Sequence, residues 1–243
     1  MNSVPERVLK QQVHVLNLGL TDYRYVWDVQ SRLFRLRLGG IVPDLLLLNE
    51  HEHVYTLGKN TDLDHLLAKS EELKSRGIDV VPIDRGGDVT YHGPGQLVGY
   101  PILDLAHHYL DLHRYLRDLE EVIIRTTADF GLSARRDDGY TGVWVGDDKI
   151  AAIGVKVSRW VTMHGFAFNI NTDLSYFDRI IPCGIFHRGV TSLERLLGCR
   201  TDFGEVTSRL LRHFGGVFHV EMVKRESAEF LRSMELTETA ECA

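Results

Sequence analysis

Short apolar runs bounded by turn residues recur along the first part of the chain and predict buried strands. Between them, apolar residues at helical spacing predict two helices, each followed by glycine. The first helix is capped by Thr21 or Asp22 and ends at Leu38, and the second covers residues 63–76. The predicted strands lie at residues 13–18, 44–48, 54–57, 78–83 and 97–103.

The second part of the chain changes character, because a hairpin pattern follows a predicted helix at 107–130. Apolar segments on both sides of a turn at 146–148 predict a β-hairpin formed by 143–145 and 149–157. The mixed order of elements, without regular βαβ alternation, indicates an α+β fold. The remaining predictions are a strand at 162–169, helices at 192–197 and 203–214, a strand at 217–220, a last helix from Val223 and a frayed tail at 237–243.

The stretch from Arg85 to Gln96, RGGDVTYHGPGQ, interrupts both patterns. Four glycines and a proline in this stretch exclude a helix or a plain strand, and glycine lets a ligand approach the backbone closely. The polar groups between the glycines favour a loop that holds a ligand. The alternative is a structural turn with incidental polar residues.

Two residues are candidates for chemistry. Cys183 follows Pro182 and precedes Gly184, a setting that suits an exposed nucleophilic thiol, although a buried structural cysteine is an equal alternative. Lys149 precedes an apolar run and could be desolvated, but the residues alone favour an ordinary surface lysine. Small residues at 151–154 and 165–167 predict either a groove for a linear apolar ligand or tight strand packing.

The composition of the chain argues against several classes of function. The chain has 243 residues and a formal net charge of −6, which argues against a general nucleic-acid binder. Without an apolar run of membrane-spanning length or a signal-peptide core, we expect a cytoplasmic protein without a membrane partner. The pattern of Arg32, Arg35 and Arg37 favours a solvated helix face, and docking of an acidic partner is the alternative. The histidines lack metal-site spacing, and no phosphate-loop or dinucleotide motif occurs, so we expect neither a metal nor a cofactor.

Taken together, these segments resemble the lipoyl(octanoyl) transferase family. The resemblance is carried by residues 85–96, 149–154, 164–167 with Asn169, 182–184, and an upstream stretch at 50–58. It implies one catalytic domain over 1–243 with the fold of biotin and lipoate protein ligases, in which mixed sheets are flanked by helices. It also implies an acyltransferase in which Cys183 is the nucleophile and Lys149 activates it. The acyl-binding residues that the resemblance assigns are Arg85, Gly86, Gly87, Asp88, Val89, Thr90, Tyr91, His92, Ala152, Ile153, Gly154, His164, Gly165, Phe166 and Ala167.

The partners also follow from the resemblance. The donor would be octanoyl-acyl carrier protein, and the acceptors would be lipoyl domains of 2-oxoacid dehydrogenases and the glycine cleavage H protein. Because the donor is already a thioester, no ATP is required. Two alternatives remain at this point: a lipoate or biotin ligase, which activates a free acid with ATP, and a non-catalytic acyl-binding protein, which forms no covalent adduct.

Overall fold

Two β-sheets organise the chain in a computed structural model that describes residues 11–181 and 188–241, without the side chains of Ser70, Lys74 and 235–241. The strands are β1 (Gln12–Thr21), β2 (Asp44–His51), β3 (Val54–Leu57), β4 (Asp79–Pro82), β5 (Val89–His92), β6 (Gln96–Ile102), β7 (Val143–Val145), β8 (Asp148–Ser158), β9 (Val161–Asn169) and β10 (Glu221–Lys224). The helices are α1 (Tyr23–Leu38), α2 (Ser70–Ser75), α3 (Leu112–Ala128), α4 (Leu193–Leu197), α5 (Phe203–Val217) and α6 (Ser227–Glu241), with three short 3₁₀ turns at Leu63–His65, Leu105–His107 and Leu174–Arg179.

The larger sheet has seven strands in the order β10-β1-β2-β6-β9-β8-β7. Strand β1 is parallel to β10 and β2, whereas the pairs from β2 to β7 are antiparallel. The smaller sheet has three strands in the order β4-β3-β5. The predicted α+β class, with mixed sheets and flanking helices, is therefore confirmed.

Helices cover both faces of the larger sheet. On one face, the fully buried Leu119 of α3 and Phe214 of α5 belong to one apolar cluster. On the other face, Val26 and Leu33 of α1 pack with Leu47 of β2. Burial of each such side chain contributes roughly 1.5–3 kcal/mol, so the two clusters hold the central strands rigidly between the helices.

Most predicted elements are confirmed, with longer ends. The side chain of Asp22 caps α1 by accepting a hydrogen bond from the backbone N of Tyr25, at 3.0 Å. The predicted hairpin is present as β7 and β8, and strand β9 continues it. The glycine-rich stretch differs from expectation, because residues Val89–His92 within it form β5. Its positive-φ glycines, Gly87 and Gly95, lie on either side of that strand and so leave its pairing with β3 intact.

Two predicted helices begin later than their apolar spacing suggested. The helix predicted at 63–76 is wrong as one element, because the backbone N–H groups of Leu67 and Ala68 donate to the carbonyl of Arg179. That pairing separates the turn Leu63–His65 from α2. The helix predicted at 107–130 begins at Leu112, where the Asp111 side chain caps it.

The C-terminal predictions are shifted along the chain. The strand predicted at 217–220 is wrong, since α5 continues to Val217 and the strand is Glu221–Lys224. Pairing of β10 with β1 decides its position, because Gln12 lies opposite Glu221. The last helix begins at Ser227 and is helical to Glu241, so the fraying predicted for 237–243 stays a prediction. Among the described residues, no helix is long and apolar enough to cross a membrane.

Candidate active site

One cavity lies between β5, β6, β8 and β9 and holds about 810 Å³ of empty space, including its open mouth. Thirteen of the fifteen predicted acyl-binding residues line it. They are Arg85, Gly87, Asp88, Val89, Thr90, His92, Ala152, Ile153, Gly154, His164, Gly165, Phe166 and Ala167. The glycine-rich stretch and the small-residue strands, which are distant in sequence, therefore form one apolar-walled site.

Arg85 fixes the glycine-rich turn. Its guanidinium donates to the carbonyl and the hydroxyl of Thr56, both at 3.0 Å, and the residue is buried. The turn packs so closely on Gly58 that a Cβ there would lie 2.3 Å from the carbonyl oxygen of Gly87. Only glycine permits this approach, so Gly58 is part of the construction of the turn.

Within β5, Tyr91 is the predicted residue that does not line the cavity. Thr90 and His92 line the cavity, whereas Tyr91 packs on the opposite side of the small sheet. The Tyr91 ring stacks on Tyr176 with centroids 4.8 Å apart, and its hydroxyl bonds His53 Nδ1 at 2.7 Å. Tyr91 therefore supports the wall and does not line it. Gly86, the other exception, donates its backbone N–H to Val155 and joins the turn to β8.

The small residues of β8 and β9 have two different roles. Ala152 lies opposite Ala167, and both side chains line the cavity. Gly154 lies opposite Gly165, but a Cβ on Gly154 would approach the Gly86 carbonyl at 3.0 Å. A Cβ on Gly165 would lie 2.2 Å from the carbonyl of Gly99. The glycines thus permit close backbone packing, while the alanines define free space in the cavity.

Lys149 is a buried residue of the cavity wall. It is 7% exposed, and its Nζ lies 4.8 Å from the centroid of the Trp144 ring. The guanidinium of Arg188 lies 4.9 Å from the same ring. The surface-lysine interpretation is therefore wrong, because the fold sequesters this residue between the sheet and an aromatic ring.

Cys183 lies outside the described residues, as does Cys242, so the nucleophile and the dyad stay predictions. The chain on both sides of 182–187 is nevertheless bonded to the site. Before it, the backbone N of Ile181 donates to the carbonyl of His65 at 2.8 Å. After it, Lys149 N donates to Gly189 O and Lys149 O accepts from Thr191 N, both at 3.0 Å. Phe177 and Val190, from these two flanks, line the cavity.

His164 adopts a left-handed backbone conformation, with φ of 59°, and is 1% exposed. Its Nε2 lies 2.8 Å from Asp84 Oδ1, and Lys156 pairs with the other carboxylate oxygen. Burial lowers the pKa of His164, and the hydrogen bond to Asp84 opposes that shift. The hydrogen bond from His164 in turn lowers the pKa of Asp84.

Sequence reasoning missed a polar network on the cavity floor. His92 Nδ1 bonds Gln96 Oε1 at 2.7 Å, and Gln96 Nε2 donates to Asn169 at 2.9 Å. Burial sets the pKa of His92 well below its ordinary value. Gln96 closes the glycine-rich motif and Asn169 follows the second one, which was a usable signal. No sequence signal marked the other missed lining residues, Tyr23, Val98, Tyr100, Thr141, Phe177 and Val190.

The arginine patch proposed for an acidic partner needs correction. Arg37 is buried, and its Nε donates to Asp44 Oδ1 at 2.7 Å. His108 Nε2 contacts the other oxygen of the same carboxylate at 2.8 Å. Arg37 therefore pairs with a buried carboxylate, and the prediction that it docks a partner is wrong. Arg35, by contrast, is exposed.

Comparisons with known proteins agree with this geometry. The lipoyl protein ligase A/B catalytic domain family matches residues 22–215. The octanoyltransferase of Rubrobacter xylanophilus is 55% identical over 81% of this chain and 89% of its own. The octanoyltransferase of Flavobacterium johnsoniae is 47% identical over 88% of this chain and 100% of its own.

Solved structures share the fold at low identity. A bi-partite lipoate protein ligase from Thermoplasma acidophilum superposes with a TM-score of 0.68 at 16% identity, covering 93% of this chain and 90% of that one. A biotin protein ligase from Aquifex aeolicus gives 0.52 at 14% identity, over 85% and 70%. At such identities these structures establish the fold alone, while the sequence relatives are far closer. The chain belongs to the octanoyltransferase family, within the lipoyl protein ligase A/B catalytic domain family.

Proposed function

We propose that this protein transfers an octanoyl group from octanoyl-acyl carrier protein to a lysine side chain of lipoyl domains, including those of 2-oxoacid dehydrogenases and the glycine cleavage H protein. The reaction proceeds through a thioester on Cys183 and needs no ATP. A cytoplasmic location and a single catalytic domain over 1–243 belong to the same proposal. Family membership supports octanoyl transfer, and the cavity supports the roles of individual residues.

In the first half-reaction, Lys149 Nζ takes the proton of the Cys183 thiol, and the thiolate attacks the carbonyl of the donor thioester. The carbon–sulfur bond to the carrier breaks, and Lys149 returns the proton to the leaving thiolate. In the second half-reaction, the acceptor amine attacks the carbonyl of the octanoyl-enzyme, and an amide forms as the carbon–sulfur bond to Cys183 breaks. Lys149 accepts the proton that the nitrogen loses and returns it to the departing Cys183 sulfur. Ala152 and Ala167 leave room for the acyl chain, while Arg85 keeps the glycine-rich turn against it.

The observation that carries this proposal is the position of Lys149. It is a buried lysine in the wall of an apolar cavity, and its backbone is bonded on both sides of Val190, shortly after Cys183 in the chain. A lysine held in the wall of such a cavity is placed to exchange a proton with a nucleophile that enters it.

The test is intact-protein mass after mixing with octanoyl-acyl carrier protein in the absence of ATP. We expect the wild type and Cys199→Ala to gain one octanoyl group, because Cys199 lies on the surface. Cys183→Ala should gain none and should not modify a lipoyl domain. An ATP requirement would favour a ligase, and binding without an adduct in the wild type would favour a non-catalytic acyl-binding protein.

A further inference from the structure

The cavity is open at one end and closed at the other. Thr141 lines the cavity and is exposed, and a Cβ on the adjoining Gly142 would lie 3.3 Å from Lys149 Cε. The cavity therefore reaches the surface beside Lys149. At the other end the lining residues Tyr23 and His92 are 3% and 6% exposed, so the cavity is closed there.

A row of apolar side chains leads from the open end to the closed end. Ala152 of β8 lies opposite Ala167 of β9, which lies opposite Val98 of β6, and all three line the cavity. Neighbouring strands are about 4.8 Å apart, so β8 and β6 are separated by roughly 10 Å. The His92 side chain bonds Gln96 at the start of β6 and so lies at the far end of this row. A chain bound along the row has its reacting carbonyl at the open end and its last carbons near His92.

Hydrogen bonds determine which ring nitrogen of His92 carries a hydrogen. Gln96 Nε2 donates to the carbonyl of Tyr91 at 3.2 Å and to Asn169 Oδ1 at 2.9 Å, so Gln96 Oε1 is an acceptor. His92 Nδ1 lies 2.7 Å from Gln96 Oε1 and therefore carries the hydrogen. Because burial lowers the pKa of His92 well below its ordinary value, the ring is neutral near neutral pH. His92 Nε2 is then an acceptor only.

Among residues 11–181 and 188–241, His92 Nε2 has no hydrogen-bond partner. The rings around it do not supply one. The Tyr100 hydroxyl lies 2.6 Å from His51 Nε2, and the Tyr23 ring stacks on the His92 ring with centroids 5.8 Å apart. A buried acceptor without a partner is unfavourable, and the terminal methyl group of an octanoyl chain cannot donate a hydrogen bond to it. A hydroxyl group at that point of the chain can.

We propose that the closed end of the cavity is a subsite for a hydroxyl group at the far end of the acyl chain, with His92 Nε2 as its acceptor. The ligand class is an ω-hydroxyacyl thioester, which the enzyme transfers in addition to the octanoyl group. This inference rests on the proposed function, because it assigns a second donor substrate to the same reaction. The hydroxyl takes no part in the chemistry: the same carbon–sulfur bond breaks and the same amide bond forms.

The first test compares matched chains in the wild type. Adduct formation is followed by intact-protein mass in a single turnover with octanoyl, 8-hydroxyoctanoyl and nonanoyl groups on acyl carrier protein. The nonanoyl chain carries a methyl group where the 8-hydroxyoctanoyl chain carries its hydroxyl, so the two have nearly the same size. We expect the 8-hydroxyoctanoyl adduct to form roughly tenfold faster than the nonanoyl adduct, since only the hydroxyl gives the buried acceptor a partner.

The second test changes the acceptor. His92→Asn keeps an amide N–H that can reach Gln96 but has no atom at the position of Nε2, whereas His92→Gln places an amide oxygen there. The preference for 8-hydroxyoctanoyl over nonanoyl should disappear in His92→Asn and be partly kept in His92→Gln. His113→Asn, at an exposed position of α3, should keep it fully. The ratio of 3-hydroxyoctanoyl to octanoyl should be the same in all four proteins, because that hydroxyl lies beside the thioester.

Equal rates for 8-hydroxyoctanoyl and nonanoyl in the wild type would overturn the inference, whether or not the variants fold. A preference that survives unchanged in His92→Asn would also overturn it. Neither result affects the proposed function, which the octanoyl adduct tests separately. Absence of an octanoyl adduct in the wild type would overturn the proposed function and this inference with it.

Discussion

Burial of ionisable side chains is the dominant feature of this site at the scale of single residues. Lys149, His164 and His92 are all buried, although each would be more stable in water as a charged group. The protein accommodates them by hydrogen bonds or by contact with an aromatic ring. Burial lowers the pKa of the two histidines, and each of the three residues can be tested by substitution.

Lys149→Met should slow alkylation of Cys183 by iodoacetamide near neutral pH by about tenfold or more. The thiolate is the reacting species, and each unit by which the thiol pKa rises removes about nine-tenths of it. The rate is measured on the Cys183 peptide in a Cys199→Ala background. Lys69→Met, at an exposed position, is the control. An unchanged rate in Lys149→Met would remove Lys149 from the dyad.

Stability should fall as the pH drops below 6.5, in part because of His51. Burial lowers the pKa of His51 from 6.5 to about 4, and its Nε2 lies 2.6 Å from the Tyr100 hydroxyl. Between these two values the unfolded chain binds a proton that the folded protein does not, which favours unfolding. We expect His51 to account for a loss of about 1 kcal/mol between pH 7.5 and 5.5.

Denaturant unfolding of wild type and His51→Gln at the two pH values measures this contribution. The variant should lose less stability on acidification than wild type, whereas His113→Asn should behave like wild type because His113 is exposed. Equal losses in wild type and His51→Gln would show that His51 is protonated in the folded protein.

At the scale of secondary-structure elements, the hairpin β7–β8 combines free space with tight packing. Ala152 projects into the cavity, whereas the missing Cβ of Gly154 makes room for the glycine-rich turn. The side chain at position 152 should therefore limit the length of the acyl chain that binds. The absence of a side chain at Gly154 should instead determine where Arg85 lies. Two substitutions on the same strand separate these effects.

Ala152→Val should reduce kcat/KM for octanoyl-acyl carrier protein more than for the butanoyl form. The two added methyl groups occupy cavity space, and overpacking costs on the order of 1–3 kcal/mol. Gly154→Val should reduce kcat/KM for both substrates by the same factor, since its side chain would displace the turn at 85–87. Equal losses in Ala152→Val would show that the acyl chain lies elsewhere.

Gly142→Ala should lower transferase activity, because a side chain at Gly142, just before β7, would displace the Lys149 side chain on β8. Gly142 has a φ of 136°, and a Cβ there would lie 2.7 Å from the carbonyl of Ala151 and 3.3 Å from Lys149 Cε. Gly139→Ala is the matched control, because its Cβ would meet only the Asp137 carboxylate at an ordinary 3.5 Å. Transferase activity and the rate of Cys183 alkylation are measured in both variants. If Gly142→Ala has the same activity and alkylation rate as Gly139→Ala, the turn before β7 does not position Lys149.

How much the sequence predicted also depends on the element. The predictions of strands with continuous apolar runs and of the capped helix α1 were correct, because the apolar residues of those segments are the ones that the fold buries. The segment 63–76 was not, because its apolar spacing reflects contacts with residues near Arg179 that no local pattern encodes. The same holds for Tyr23 and Tyr100 in the cavity, which the crossing of α1 over β6 brings together. The motif residues were found through the family resemblance, whose short segments lie in the turn before β5 and on β5, β8 and β9.

At the scale of the whole molecule, the net charge of −6 matters for an acidic carrier. A protein of this charge repels such a partner at long range, so docking requires a local positive surface. Arg37 cannot contribute, because it pairs with the fully buried Asp44. The pair joins α1 to β2 and belongs to the stability of the molecule.

Reversal of charge at two positions of α1 distinguishes stability from docking. Arg37→Glu should destabilise the protein by about 3–5 kcal/mol, because it removes the guanidinium that pairs with Asp44 and places a second buried carboxylate beside it. Arg35→Glu should leave the melting temperature unchanged, as expected for an exposed side chain, and should raise KM for the carrier at low salt. Thermal unfolding and salt-dependent kinetics measure the two effects. An unchanged KM would place the docking surface elsewhere.

The pairing of β10 with β1 has a consequence for the order of events during synthesis. Every strand that lines the cavity precedes residue 170, whereas the strand that pairs with the outer edge of β1 within the described residues is β10, at residues 221–224. A nascent chain can therefore bring the cavity strands together while one edge of its larger sheet is still open. Open edges pair readily with other chains, so the last strand protects the molecule from aggregation more than it shapes the site. This enzyme is therefore most prone to aggregation late in translation, after the cavity strands have paired and before β10 has been synthesised.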